Sequence, residues 1–116
     1  MKVKFYELKM YDETYKVYLA KGKYANNKTI AVEIIAVDSE GFEEPFASLT
    51  RNIPCDYGLA NDTMQFIDTN NLGNGIINWL VKNNIARFTG LGLPSGYCMY
   101  PLYEFKKEAL EGMGDM

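Results

Sequence analysis

A chain of 116 residues, 47% of them apolar and 23% charged, has the composition of one globular domain and is far from the charge-rich, aromatic-poor chains that stay disordered. The net charge of −3 is modest, no apolar run approaches the roughly 18 residues that cross a bilayer, and the first residues lack a signal peptide's apolar stretch. A cytoplasmic protein without a membrane segment is therefore expected, and its two cysteines, Cys55 and Cys98, too few for a disulfide framework or a zinc site, are expected to be reduced and structural.

Residues 3–10 and 14–24 are rich in Val, Tyr, Phe and Thr around Tyr11-Asp12-Glu13, which predicts a hairpin whose Tyr15, Val17 and Leu19 face the core. Ile30, Val32, Ile34 and Ala36 alternate with the period of two that marks a half-buried strand over 28–37. A turn at Asp38-Ser39-Glu40-Gly41 leads to a strand over Phe46–Ile53, stopped by Pro54 because proline cannot donate to a ladder.

The period then changes. Leu72, Ile76, Trp79 and Leu80 share one helical face, which predicts one main helix over Asn70–Asn84 with asparagines to cap its ends. Gly73 and Gly75 each weaken the first turn by about 1 kcal/mol relative to alanine, so the helix is expected to begin as late as Asn74. Thr89–Gly96 reads as a glycine-rich loop, and Tyr97–Phe105 as a late strand that Pro101 confines to an edge or a bulge. A short helix and a fraying tail, about 107–116, complete the chain. The whole reads as one α+β domain over 1–116: an antiparallel sheet of about five strands, a meander plus the late edge strand, under one main helix.

The chain contains no histidine. Imidazole bases, the usual serine and cysteine triads, and nearly all catalytic zinc sites are thereby excluded. The carboxylates Glu43, Glu44, Asp62 and Asp68 form no pattern that singles out an acid and base pair. Asp68 to Gly73 is similar in outline to a calcium loop, but Leu72 and Trp79 stand where oxygen ligands are needed, so these residues are expected to cap the helix instead. Gly90 to Gly96 follows a helix and precedes a strand, the wrong order for a phosphate-binding loop, and it carries no Walker lysine. No catalytic residue, metal site or cofactor is expected.

Two surface features remain. Tyr97, Met99, Tyr100 and Tyr103 lie together on the last strand, and clustered Tyr and Met favour protein interfaces; no Lys or Arg falls between residues 88 and 105, so no cationic groove accompanies them for nucleic acid. Residues 1–28 hold seven lysines against three acids, whereas 29–81 hold eight acids against Arg51 alone. That asymmetry suits either neutralisation between neighbouring strands or a charged partner.

The segments Pro45-Phe46-Ala47-Ser48-Leu49-Thr50-Arg51-Asn52-Ile53-Pro54, Phe66 to Asn71, and Thr89-Gly90 through Ser95-Gly96-Tyr97 to Pro101-Leu102-Tyr103 resemble a bacterial family of unknown function, numbered 4313, over about residues 24–105. The resemblance implies an accessory protein of a phage, plasmid or conjugative element, with no catalytic residues to carry over. The expected function is non-enzymatic binding of a protein partner, such as a host defence or replication factor. The alternatives are nucleic-acid binding or DNA mimicry, and a small-ligand or nucleotide site in the glycine-rich segment.

Overall fold

The computed structural model describes residues 2–116. Strands β1 (Phe5–Met10) and β2 (Glu13–Lys23) form the expected hairpin in one-to-one register from Phe5↔Tyr18 to Met10↔Glu13. Tyr11 (φ 54°) and Asp12 (φ 62°) both lie in the left-handed region, the two-residue turn whose twist matches that of paired strands. Tyr6, Leu8, Val17 and Leu19 are buried on its inner face, with Tyr15 half-buried beside them. Strand β3 (Ile30–Val37) buries Ile30, Val32, Ile34 and Ala36, as their alternation predicts.

The turn at 38–41 is held by Asp38 Oδ1, which accepts from the amides of Glu40 and Phe42 at 2.9 Å each. It delivers β4 (Glu43–Ser48) to the edge of this first sheet, whose order is β1-β2-β3-β4.

The strand expected over Phe46–Ile53 is in fact two, because the chain changes sheets at Leu49. That residue is fully buried; its amide donates to Val32 O (2.9 Å) and its carbonyl accepts from the Asp68 amide (3.0 Å). Strand β5 (Thr50–Arg51) then opens a second antiparallel sheet with β6 (Met64–Ile67). Gln65, with no exposed surface, joins the sheets: its Nε2 donates to Thr29 Oγ1 (3.0 Å) and Ile30 O (2.8 Å), and its Oε1 accepts from the Phe66 amide.

The single main helix is also divided. Asp68 caps α1 (Thr69–Leu72) by accepting from the Asn71 amide (3.3 Å) and side chain (2.8 Å), and Gly73, at φ 81°, ends it. The second piece, α2 (Gly75–Lys82), starts after Asn74, where the two glycines placed it. Leu72, Ile76, Trp79 and Leu80 are all buried. The indole of Trp79 packs edge-on to Tyr6 (5.7 Å) and its Nε1 donates to Glu7 O (2.7 Å), fastening α2 to β1. At the far end, Asn83 Nδ2 donates to Trp79 O.

The stretch expected as a glycine-rich loop is instead strand β7 (Ala86–Ser95), paired with β8 (Cys98–Phe105). The second sheet runs β5-β6-β8-β7, so β7 is the edge and β8 an inner strand rather than the expected edge strand, with Pro101 beside an irregularity, the other placement its sequence allows. Pro101 is tolerated in an inner strand because the β6 ladder ends at Leu102 and β7 shifts register between Phe88 and Gly92.

The tail expected to fray packs in place. Helix α3 (Lys107–Glu111) buries Ala109, Met113 is 2% exposed, and β9 (Gly114–Asp115) joins β2 in parallel. Among the described residues the architecture is α+β, with two mostly antiparallel sheets and three short helices rather than one sheet and one helix. A main cluster draws on both sheets and all three helices; Ile53, Ala60, Phe66, Tyr100 and Leu102 form a smaller one behind the second sheet.

Candidate functional site

Alternation along β8 divides the residues expected to form one surface. Met99, Pro101 and Tyr103 point to one side of the second sheet; Tyr100 points to the other and is 2% exposed within the smaller cluster, so it cannot touch a partner. Tyr97 is fully exposed in the turn between β7 and β8. Tyr103 is buried beneath Phe88, with ring centroids 5.4 Å apart. Of the four, Met99 and Tyr103 share a face, Tyr97 stands at its tip, and Tyr100 belongs to the core.

What they help to form is a groove of about 420 Å³ between the helices and the hairpin. Thr69, Asn74 and Ile77 supply one wall; Phe88, Gly90, Leu91, Gly92, Met99, Pro101 and Tyr103 supply the other. No charged residue lines it, and none occurs anywhere from Phe88 to Tyr103. Phe88 (53%), Leu91 (50%) and Met99 (65%) are nevertheless well exposed. Apolar side chains clustered in solvent around a concavity are the usual mark of an interaction site.

Local chemistry holds this apolar wall open. Thr89 Oγ1 donates to Leu102 O (2.8 Å) and accepts from the Leu91 amide (3.2 Å), which fixes the irregular stretch of β7 and turns Leu91 outward. Gly92 lies against β8 so closely that a Cβ would come within 3.0 Å of Tyr100 O. Ile77 lies apart on α2, and Phe88, Leu91 and Gly92 do not read as part of an interaction surface because glycines at 90, 92 and 96 hide the period of the strand that carries them. The uncharged run from 88 to 103 is the signal that could have found them.

Burial pushes the Tyr103 phenol above its ordinary pKa. It does the same at Tyr100, opposed by the Arg51 guanidinium 5.5 Å from the ring centre. Both hydroxyls stay protonated at neutral pH.

The remaining sequence candidates are dispersed. Asp68 caps α1, Asp62 pairs with Lys23 (3.6 Å), and Glu43 accepts from the Tyr18 hydroxyl (2.5 Å). Glu44 is exposed on β4. Cys98 packs half-buried against the smaller cluster, but Cys55 is exposed, contrary to the structural role expected of it. Among the described residues no group of three potential ligands converges on a metal position, and no helix is long and apolar enough to cross a membrane.

The family described as Domain of unknown function (DUF4313) matches residues 18–115, from the middle of β2 to the end of β9. No curated protein and no solved structure matches the chain.

Proposed function

The chain belongs to that family of unknown function, DUF4313, and for this member we propose a non-enzymatic role as a protein-binding module whose working surface is the uncharged groove beside the β7–β8 hairpin. The carrying observation is the coincidence of exposed Phe88, Leu91 and Met99 with a stretch of sixteen residues, 88–103, that holds no charge. Interface cores are depleted of charge and enriched in aromatic residues and Met, and a hairpin already held in shape limits the entropy lost on docking. Tyr97 at the hairpin tip adds a large, rigid side chain at the rim. The setting we attach to this activity is an accessory protein of a phage or mobile element acting on a host factor.

The lysines of the N-terminal hairpin favour this reading over nucleic-acid binding, because several are engaged within the chain. Lys16 lies over the Phe5 ring (4.3 Å), Lys4 over Tyr6 (5.3 Å), Lys21 donates to Leu110 O, and Lys23 pairs with Asp62.

A photo-crosslinking side chain at Met99, with Phe42 on the far turn as control, tests the proposal in the cells that make the protein. A protease-sensitive adduct from position 99 and none from position 42 is the expected result. A nuclease-sensitive adduct, or equal labelling from both positions, would refute it.

A further inference from the structure

Of the asparagines in this chain, only Asn74 is followed by glycine. Asparagine is a chemically labile amide, and a glycine after it, having no Cβ, leaves its own backbone nitrogen open to approach and its φ free to turn. The fold leaves this pair unguarded. Asn74 stands between α1 and α2, exposed together with Gly75, and its side chain makes no capping hydrogen bond. Among the described residues the Gly75 N–H meets no backbone acceptor, as is usual at the first position of a helix. For the Gly75 nitrogen to reach Asn74 Cγ, ψ of Asn74 must leave −19°, and the bond this opens is a single turn bond, from the Ile77 amide to Asn74 O (3.1 Å). Other asparagines are fastened: Asn27 donates to Asn52, Asn61 accepts from the Thr63 and Met64 amides, Asn71 donates to Asp68, and Asn83 to Trp79 O.

We propose that Asn74 is a self-modification site, at which the Gly75 nitrogen attacks Asn74 Cγ and the side-chain amide is replaced by a carboxylate. The new C–N bond closes a cyclic imide, and the side-chain nitrogen departs as ammonia, carrying the proton that the Gly75 nitrogen lost. Water then adds to either imide carbonyl and opens the ring, giving aspartate or isoaspartate. In sum, an amide and water become a carboxylic acid and ammonia; nothing is oxidised or reduced, and solvent water is the co-reactant. The attacking nitrogen must give up its proton, so conversion quickens as pH rises.

The place of Asn74 gives the conversion a consequence, which rests on the binding role proposed for the hairpin groove. With Thr69 and Ile77, Asn74 forms the helical wall of that groove, whose lining holds no charge. Conversion sets a carboxylate there, across from Phe88 and Met99, and interface cores are depleted of charge. The face that docks a partner is thereby switched off as the chain ages. The chemistry itself is independent of any partner.

Incubation of wild type and Gly75→Ala at neutral and mildly alkaline pH, followed by trypsin and mass spectrometry of the peptide 52–82, tests the conversion. Gly75 has open space where a Cβ would stand, so the alanine is accommodated. Conversion at position 74 is expected ahead of Asn70 and Asn78 on the same peptide, faster at the higher pH and largely lost in Gly75→Ala. Equal conversion at Asn70 or Asn78, an unchanged rate in Gly75→Ala, or a folded chain that stays intact while the urea-unfolded chain converts would each overturn the proposal. Asn74→Asp tests the consequence separately. Aspartate caps a helix as well as asparagine does and its charge suits the first turn, so this variant folds, and its crosslinked adduct from position 99 should fall on the order of tenfold. An undiminished adduct would overturn the switch; no adduct even from unconverted wild type would refute the role of the groove, while the peptide masses still decide the conversion.

Discussion

The two sheets share a core but meet solvent in different ways. On the first, Lys9 and Glu7 on β1, Lys16 and Thr14 on β2 and Glu33 on β3 place polar and charged groups among the outward residues, beside Phe5, Tyr18, Ile35 and Val37. On the second, the hairpin exposes Phe88, Leu91 and Met99 with no charge among them. A polar exposed face needs no explanation beyond solubility. An apolar one that the fold does not need points to a partner, and the difference can be tested by asking which side chains stability depends on.

The largest effect belongs to Trp79, which ties α2 to the first sheet. Trp79→Ala removes a buried ring and the donor to Glu7 O, and about 3–5 kcal/mol of stability should vanish in urea unfolding. The corresponding change on the second sheet, Met99→Ala, should alter stability by no more than about 0.5 kcal/mol. Equal losses would erase the distinction between the two regions.

Gly92→Ala should fall between these, at about 1–3 kcal/mol, because the added methyl group meets the backbone of β8 rather than a yielding side chain. Calorimetry of the variant would show a lowered melting temperature; an unchanged one would mean that β7 can stand away from β8.

The smallest effect is one of pH. Desolvation raises the phenols of Tyr6 on the first sheet, of Tyr24 just past the end of β2 and of Tyr103 on the second sheet, while hydrogen bonds to Glu13 and Glu43 raise Tyr15 and Tyr18. A phenol whose pKa is higher folded than unfolded favours the native state below the unfolded value near 10, and that advantage is lost as pH rises through the folded value. Urea midpoints should therefore decline from about pH 9 to 11. Stability that rises over this range would contradict the burial of these rings.

The same contrast decided what could be read from the sequence. On β2 Lys16 and Tyr18 alternate with Val17 and Leu19, and on β3 the branched Ile30, Val32 and Ile34 recur at every second position around Glu33, so both strands and their inner faces were legible. On β7 the exposed positions past Arg87 are Phe88, Gly90, Leu91, Gly92 and Pro94; with no charge among them the period disappears, and the strand looks like a loop. Pro101 makes β8 read as an edge when no strand is visible beyond it, and a grouping of Tyr100 with Tyr97 and Tyr103 by nearness in sequence overlooks the alternation that sends Tyr100 to the opposite side. The helix break at Gly73 was visible as a weakness but not as a division, because whether a glycine ends a helix depends on the packing of Leu72 and Ile76 around it. Docking of the tail onto β2 rests on contacts between residues far apart in sequence, such as Lys21 with Leu110, which no local pattern announces.

The account stands on the hairpin face being dispensable for folding and necessary for binding. Introducing Leu91→Lys and Met99→Lys together, then measuring the melting temperature and the capture of protein from the native host's lysate, addresses both halves at once. The expected result is a melting temperature within about 4 °C of wild type and loss of the captured protein. A fall of more than about 8 °C would show the face to be part of the folded core, and capture unaffected by the two lysines would place the binding surface elsewhere.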